Sequence, residues 1–517
     1  MPPETNSPPA LLLMPTDDVM IACRDIEAGT LLGGLEKQVV TRHKIPSGHK
    51  VAFGPIPKGA PVRKFGQVIG FASADITAGS HVHSHNLEAG SFEREYHFGE
   101  DARPLARMET ERHFDGYDRG DGRYGTRNYI AIISSVNCSA SASKYIVKEL
   151  DKRGILARFP DIDGVVAITH KAGCAMQYGG PDHLQLNRTL AGIANHPNVA
   201  AYLLLGLGCE TGQISHLIEN QNLVQLGLPG KPKPNVLQIQ DQGGIRKTVE
   251  AGVTAVTELL KSSSGQKRTR LGADKLILAT NCGGSDGYSG VTANPALGVA
   301  SDLLVAHGGT TVLAETTEID GAEHLLTRRT VSREVGEKLL ERIRWWEWYT
   351  GVFGAQINNN PSPGNKAGGL TTIYEKSLGA VAKAGTSPLV DVVLYAEPIK
   401  AKGFVVMDTP GYDPVSMTGL CAGGANIGVF TTGRGSVFGC KPMPCIKVAT
   451  NTALYDHMRE DMDLNAGTIL DGTESVEEVG HRIFEEIVAV ANGKRTKSEV
   501  QGLGDEEFAP WILGPTF

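Results

Sequence analysis

The stretch NYIAIISSVNC at 128–138, followed by SASKYIVKELDKRG at 141–154, decides the fold class. An apolar run that reads as a strand ends in a loop of Ser, Asn and Cys, and a helix-like segment follows. The unit returns as GVVAIT (164–169) with HLQLNRTLAGIANH (183–196), VAAYLLLGLG (199–208) with ISHLIENQNLV (214–224), and NVLQIQD (235–241) with IRKTVEAGVTAVTELLKS (245–262). Successive strand–loop–helix units predict a doubly wound parallel sheet.

Past SSSGQKRTR (262–270), which reads as a linker, the pattern resumes. KLILATN (275–281), TTVLAETTE (310–318), VVLYAEP (392–398), GFVVMDT (403–409), NIGVFTT (426–432) and CIKVATN (445–451) predict strands of a second α/β domain. Within it SREVGEKLLERIRWWEWYT (332–350) reads as a long amphipathic helix whose Trp345, Trp346 and Trp348 serve packing. Upstream, DIEAGT (25–30), KIPSGHKVAF (44–53), GPIPKGAPVRKFGQVIGFA (54–72) and DITAGSHVHSHNL (75–87) are short strands separated by turn signals. The charged segment 91–115 lacks apolar periodicity. The expected architecture is α/β multidomain: a small all-β module at 10–90, a linker at 91–115, and two α/β domains with mainly parallel sheets at 116–265 and 270–510.

Composition agrees. With 63 Gly and 27 Pro among 517 residues, coiled coils and simple helical bundles are excluded, and 41% hydrophobic residues supply large cores. Acidic residues (57) exceed basic ones (50), and the Lys and Arg are scattered, so the chain lacks the electrostatic footprint of a nucleic-acid binder. No window approaches the ~18 apolar residues of a membrane span. The leader MPPETNSPPALLLMP does not read as a signal peptide, and eight cysteines are too sparse for a disulfide framework. A reduced, cytoplasmic protein acting on small molecules is expected, with an oligomer left open.

Four thiols repeat one position. Cys138, Cys174, Cys209 and Cys282 each sit just past an apolar strand beside Gly, Ser or Asn. In open parallel sheets ligands bind outside the carboxyl ends of strands, so these cysteines are expected to share one crevice, where thiolates suit iron, an iron–sulfur cluster or zinc. The second cluster is HVHSHN: on an extended strand His81, His83 and His85 point to one face and form a candidate metal site, with His49 of SGHK from the same module. GLGCETG (206–212) and GRGSVFG (433–439) are each one residue off the dinucleotide fingerprint, which counts against a nicotinamide enzyme. These loops instead let backbone amides approach an anionic substrate, with Arg434 offering a bidentate grip on carboxylate.

CGGSDGYSGVTANPALG (282–298), NPSPGNKAGGLTT (360–372), FTTGRGSVFG (430–439), IKVATN (446–451) and GLGCE (206–210) together resemble the altronate/galactarate dehydratase family. IPSGHKVAF, GQVIGFASADI and AGSHVHSHN resemble its N-terminal SAF-type β-clip domain, and HVHSHN with the ending EEFAPWILG resembles the altronate-type members. The resemblance implies an iron-dependent hydro-lyase acting on a small anionic sugar acid, converting D-altronate to 2-dehydro-3-deoxy-D-gluconate, with galactarate or another aldarate or aldonate as the alternative substrate and a non-catalytic sugar-acid sensor as the rival class. It implies His170 of THKAGC as the base, with His49 and Lys366 as further catalytic candidates. Lys366 and Arg434 would hold the carboxylate; Asn365, Asp286, Asn294, Glu210 and Ser285 would contact the substrate. The iron is either mononuclear Fe(II) on His81, His83, His85 and carboxylates such as Glu315 and Glu318, or an iron–sulfur cluster on Cys138, Cys174, Cys209 and Cys282.

Overall fold

The computed structural model describes residues 8–33, 37–90, 94–226, 230 and 232–514; the first seven residues of the proline-rich leader and the first three of the linker lie outside them. The second domain is built on strands Gly164–Ile168, Tyr129–Ser134, Val199–Gly206 and Asn235–Gln238, side by side in that order and all parallel. Helices Ala140–Lys152 and Ile245–Ser263 cover one face through Ile146, Leu150, Val253 and Val256. Pro181–Ala194 and Ile214–Gln221 cover the other. Every residue of Val199–Gly206 is buried, which is why VAAYLLLG is apolar throughout rather than alternating.

The C-terminal domain carries seven parallel strands in the order Leu389–Val393, Gly403–Met407, Thr310–Leu313, Ile277–Cys282, Ile427–Thr432, Cys445–Ala449, Leu464–Asn465. Its first strand in sequence, Ile277–Cys282, is central. The chain adds Thr310–Leu313 on one side of it and later Ile427–Thr432 on the other, so the strand order reverses between Ile277–Cys282 and Ile427–Thr432. Loops leaving such a pair part to opposite faces and open a crevice at their carboxyl ends. Helices Ala293–Ala306 and Val476–Ala491 pack one face, and the other shares a core with the second domain.

The N-terminal module is all antiparallel: Ala10–Leu11, Val19–Ala22, Lys50–Ala52 and His81–Val82 form one sheet, and Pro61–Lys64, Gln67–Ala72 and Leu87–Glu88 another. Met20, Ile26, Leu32 and Val51 make a small core of its own. Val62, Ile69, Ile76 and Val82 instead share a core with Leu339 and Ile343 of helix Arg333–Val352 and Leu378 of helix Ile373–Val381. A module of this size buries too little surface alone to be more than marginally stable. It is therefore seated on the C-terminal domain rather than tethered to it.

The two linkers meet: His113–Asp118 pairs antiparallel with Thr269–Gly272 and with Tyr124–Gly125. Among the aromatic residues of the long helix, Trp346 is buried, donates its indole N–H to Asp408 (2.8 Å) and stacks on Trp511, while Trp348 is exposed. No helix among the described residues is long and apolar enough to cross a membrane.

Candidate active site

The crevice at the C-terminal switch point is closed by two Gly-rich loops and roofed by the N-terminal module. The Gly284 carbonyl accepts from the amides of Gly433 (3.0 Å) and Arg434 (2.7 Å), joining the loops after the two switch-point strands. Asp286 is buried and accepts from the Tyr288 amide and the hydroxyls of Ser289 and Thr450, at 2.9–3.1 Å. Asn365 caps its own short helix and donates to the Ser285 carbonyl (2.8 Å). Asn294 accepts from Thr431 (2.6 Å) and donates to the Gly379 carbonyl (2.9 Å). These three side chains hold loops in register, and Asp286 and Asn294 also line the inner cavity beneath the crevice. Arg434 remains exposed on the rim and Lys366 half-exposed beside it. The Arg434 stem lies against Gly368, where a Cβ would meet its Cδ at 3.1 Å.

The module contributes histidines. His49 is buried, with Nε2 3.1 Å from the Ala367 carbonyl, so this nitrogen carries the proton and donates. Its Nδ1 then faces His81 Nε2 at 3.0 Å, and the His83 ring centroid lies 4.8 Å from that of His49. His49, His81 and His83 offer ring nitrogens within 4.8 Å of one another. Burial, and then the neighbouring cationic forms, lower His81 to about 3; burial and then Lys50 lower His83 to about 4. All three rings are thus neutral at pH 7 with lone pairs to give. His83 Nδ1 is buried without a hydrogen-bond partner, and the His49 N–H held by a backbone carbonyl is the usual orientation of a metal-ligating imidazole. The set fits a borderline divalent ion. Period-two alternation is not what gathers it: the strand ends at Val82, and a turn closed by Asn86 N–H to His83 C=O (2.9 Å) carries His83. His85 is exposed and outside the group, a correction to its expected ligand role.

Beneath lies an acidic group. Cys282, Glu315 and Glu318 also bring ligand atoms within 4.8 Å. Two ammonium groups already occupy that position: Lys383 donates to Cys282 Sγ (2.9 Å) and Glu315 Oε2 (2.6 Å), and Lys376 donates to Glu318 Oε1 (2.6 Å). The three gather as the sequence reading expected of metal ligands, and Glu315 Oε1 is buried without a hydrogen-bond partner, while the other atoms are tied to the two ammonium groups in a buried network. Burial pushes the Cys282 thiol up to about 12 and Asp413, beside Glu318, to about 6; it also holds Glu315 above the usual carboxylate range against the pull of Lys383. Glu315 sits at φ +64°, a left-handed conformation that costs a non-glycine residue on the order of 1 kcal/mol and concentrates at functional positions. Cys282, Ser285 and Lys376 line an inner cavity of about 10 Å³, room for one water.

A buried ion triad seats the module. Glu375 accepts from Lys50 (2.8 and 3.0 Å), Lys64 (2.9 Å), and the amide and hydroxyl of Thr371 (2.9 and 2.6 Å). Backbones meet closely alongside, where a Cβ at Gly369 (φ +104°) would lie 2.2 Å from the Gly48 carbonyl oxygen.

The remaining expected residues lie elsewhere, at the carboxyl edge of the four-stranded sheet. His170 is buried with both nitrogens engaged, Nε2 by the Ser134 carbonyl (2.9 Å) and Nδ1 by the Ala172 amide (3.1 Å), and burial lowers it to about 4. It positions its loop and has no free lone pair, which removes it as the base. Glu210 is buried, accepting from Ser135 (2.8 Å) and the Gly208 amide (2.6 Å), and fastens its loop rather than a substrate. Cys138, Cys174 and Cys209 are exposed there, whereas Cys282 belongs to the other sheet, so the four thiols do not share one crevice. Sequence reasoning passed over Lys50, Lys64, Glu375, Lys376 and Lys383. The available signal was two lysines seven residues apart in EKSLGAVAKAG, on one side of an otherwise small and apolar helix.

Residues 273–516 match the family described as D-galactarate/altronate dehydratase, C-terminal; 116–264 match D-galactarate dehydratase/altronate hydrolase, second domain; and 8–90 match the altronate/galactarate dehydratase SAF domain. Altronate dehydratase of Bacillus subtilis is 36% identical over 487 residues, covering 93% of this chain and 95% of that protein. Galactarate dehydratase (L-threo-forming) of Escherichia coli is 38% identical over 501 residues, 95% and 94%. The (2R)-sulfolactate sulfo-lyase subunit beta of Chromohalobacter salexigens is 30% identical over 403 residues, 77% and 96%.

Proposed function

The chain belongs to the D-galactarate/altronate dehydratase family and is a sugar acid dehydratase, a hydro-lyase; from that premise we propose that its substrate is D-altronate and that His49, His81 and His83 hold a ferrous ion. The observation that carries the reading is the contact of His49 with the Ala367 carbonyl (3.1 Å), which sets the neutral imidazoles of His49, His81 and His83 against the segment that carries Lys366. The motif itself resembles the altronate-type members.

Dehydration takes the proton from C2, breaks the C3–O bond and leaves an enol that becomes the 2-ketone; proton and hydroxyl depart as one water. Arg434 grips the carboxylate as a planar fork and Lys366 as a point charge. His49, His81 and His83 would hold the ferrous ion, which when bound would supply Lewis acidity to the elimination. Lys376 and Cys282 face the inner cavity and both donate to Glu318, while Lys383 links Cys282 to Glu315. In this buried chain the ammonium groups and the thiol keep their protons, and Glu315, which burial raises to about 7, is the carboxylate that takes the C2 proton. The cavity has the size of the leaving water.

The test is an anaerobic assay with Fe(II) across altronate, galactarate, mannonate and glucarate, following the 2-keto-3-deoxy product. Altronate is expected to turn over fastest. Faster galactarate turnover reassigns the substrate, and no product from any of the four removes the proposal.

A further inference from the structure

The three exposed cysteines, Cys138, Cys174 and Cys209, are unused by this site, and the topology carries them to one edge of the second domain's sheet. In the second domain the first strand in sequence, Tyr129–Ser134, is flanked by Gly164–Ile168 on one side and Val199–Gly206 on the other. Its switch point therefore lies between Tyr129–Ser134 and Val199–Gly206, the position where open α/β sheets place a ligand. Cys138 follows the first of these strands and Cys209 the second; Cys174 is carried in by the loop after Gly164–Ile168.

The loops are stitched together by backbone. The Asn137 amide donates to the Ala172 carbonyl (3.0 Å), and the Gly212 amide to the Gly173 carbonyl (2.8 Å). Gly173 sits at φ +96°, and a Cβ there would lie 2.2 Å from the Ser135 carbonyl oxygen, so only glycine admits this approach. Glu210, His170 and Ser139 lock the same loops from below, Ser139 by donating to the Leu205 carbonyl (2.8 Å). All three thiols nevertheless stay exposed, while Cys282, Cys421 and Cys445 are buried. Gln240 Nε2 donates to Cys209 Sγ at 3.3 Å, the kind of N–H···S contact that tunes a ligating sulfur. Cys138 lies in the turn Asn137–Ser139 that leads into helix Ala140–Lys152.

Spacing separates the metal classes. A single tetrahedral ion with metal–sulfur bonds of ~2.3 Å brings its thiolates to roughly 3.8 Å from one another. Among the described residues these three sulfurs do not fall within 4.8 Å of one another, nor does any histidine or carboxylate complete a group with them. A polynuclear cluster, whose cysteines bind different irons, does not require that close spacing.

We propose that Cys138, Cys174 and Cys209 hold an iron–sulfur cluster in the second domain, with one iron lacking a protein thiolate and open to the crevice. Each thiol loses its proton on binding; two ferrous and two ferric ions with four sulfides are the components taken up, so no electron is gained or lost. This centre is separate from the histidine site, and its test does not read turnover. The full-length protein is reconstituted anaerobically with Fe(II), Fe(III) and sulfide, then assayed for iron, acid-labile sulfide and visible thiolate-to-iron absorption. The expected result is about four labile sulfides per chain, lost in C138S/C174S/C209S and retained in His81→Ala. Differential alkylation of the wild type provides a readout independent of mutant folding: the three exposed thiols react in the metal-free protein and are protected after reconstitution. Absence of labile sulfide in the wild type, its persistence in the triple variant, sulfide-free zinc on the thiols, or unprotected alkylation overturns the proposal.

Discussion

Glu375→Gln is the sharpest perturbation of the module's seat. The carboxylate, Lys50 and Lys64 have side chains 0–2% exposed, and Glu375 is the acidic partner of both lysines. The substitution conserves shape but removes the charge and sets an amide N–H₂ against ammonium and Thr371 donors. Removing one partner of a buried pair costs about 3–5 kcal/mol. A ceiling follows from titration, since a stranded lysine can shed its proton. From its ordinary value of 10.5 this costs about 4.8 kcal/mol at pH 7, at 1.36 kcal/mol per pH unit. Lys50 is the group that yields, because burial already lowers it to about 8 even with Glu375 present. The loss should therefore be about 3–5 kcal/mol at pH 7 and should shrink by about 1.4 kcal/mol as pH rises from 7 to about 8, then level off where the wild-type Lys50 sheds its proton as well. In the wild type, Lys50 and Lys64 overcome burial and hold Glu375 below the usual carboxylate range. Its stabilisation is complete above the ordinary 4.5 and is lost as pH falls below that. Urea unfolding followed by tryptophan fluorescence reads the effect, because Trp346 sits on the helix whose Leu339 and Ile343 pack the module. A loss under about 1 kcal/mol at pH 7, or one independent of pH, refutes the reasoning.

Arg434→Lys should raise KM about tenfold with kcat within about threefold, since a point charge replaces a bidentate fork; steady-state kinetics check it, and a pure kcat defect would contradict the rim assignment. Lys383→Met leaves Glu315 and Cys282 buried without their shared donor and should cost about 3–5 kcal/mol in denaturant titration. Gly369→Ala forces a Cβ onto the Gly48 carbonyl beside His49. Strain and clash should cost on the order of 3 kcal/mol and reduce turnover at least tenfold, whereas Gly230→Ala, at an open position, should leave turnover unchanged.

Both parallel sheets were legible in the sequence because their strands are buried on both faces and read as unbroken apolar runs, as in VAAYLLLGLG. Local pattern located the cysteines at strand ends for the same reason, but could not say which sheet each belonged to. Cys282 therefore parted from Cys138, Cys174 and Cys209. The module's histidines were visible as a motif, though the geometry that groups them is a turn at His83 and a contact with Ala367, more than 280 residues away in sequence. The buried lysines were least legible, since an ammonium in a core is explained only by carboxylates that the fold brings to it. His170 misled because strand-end position marks candidates, while hydrogen-bond partners decide whether a lone pair is free.

The central claim, that the module's histidines at the C-terminal switch point form the dehydratase centre, is tested most directly by one comparison. The anaerobic Fe(II)-dependent rate of 2-keto-3-deoxy acid formation from D-altronate is measured for wild type and for H49A/H81A of matched thermal stability. The account predicts a fall on the order of 10³-fold or more, in line with loss of both metal ligation and its charge stabilisation. A double variant retaining a tenth of the wild-type rate would contradict it.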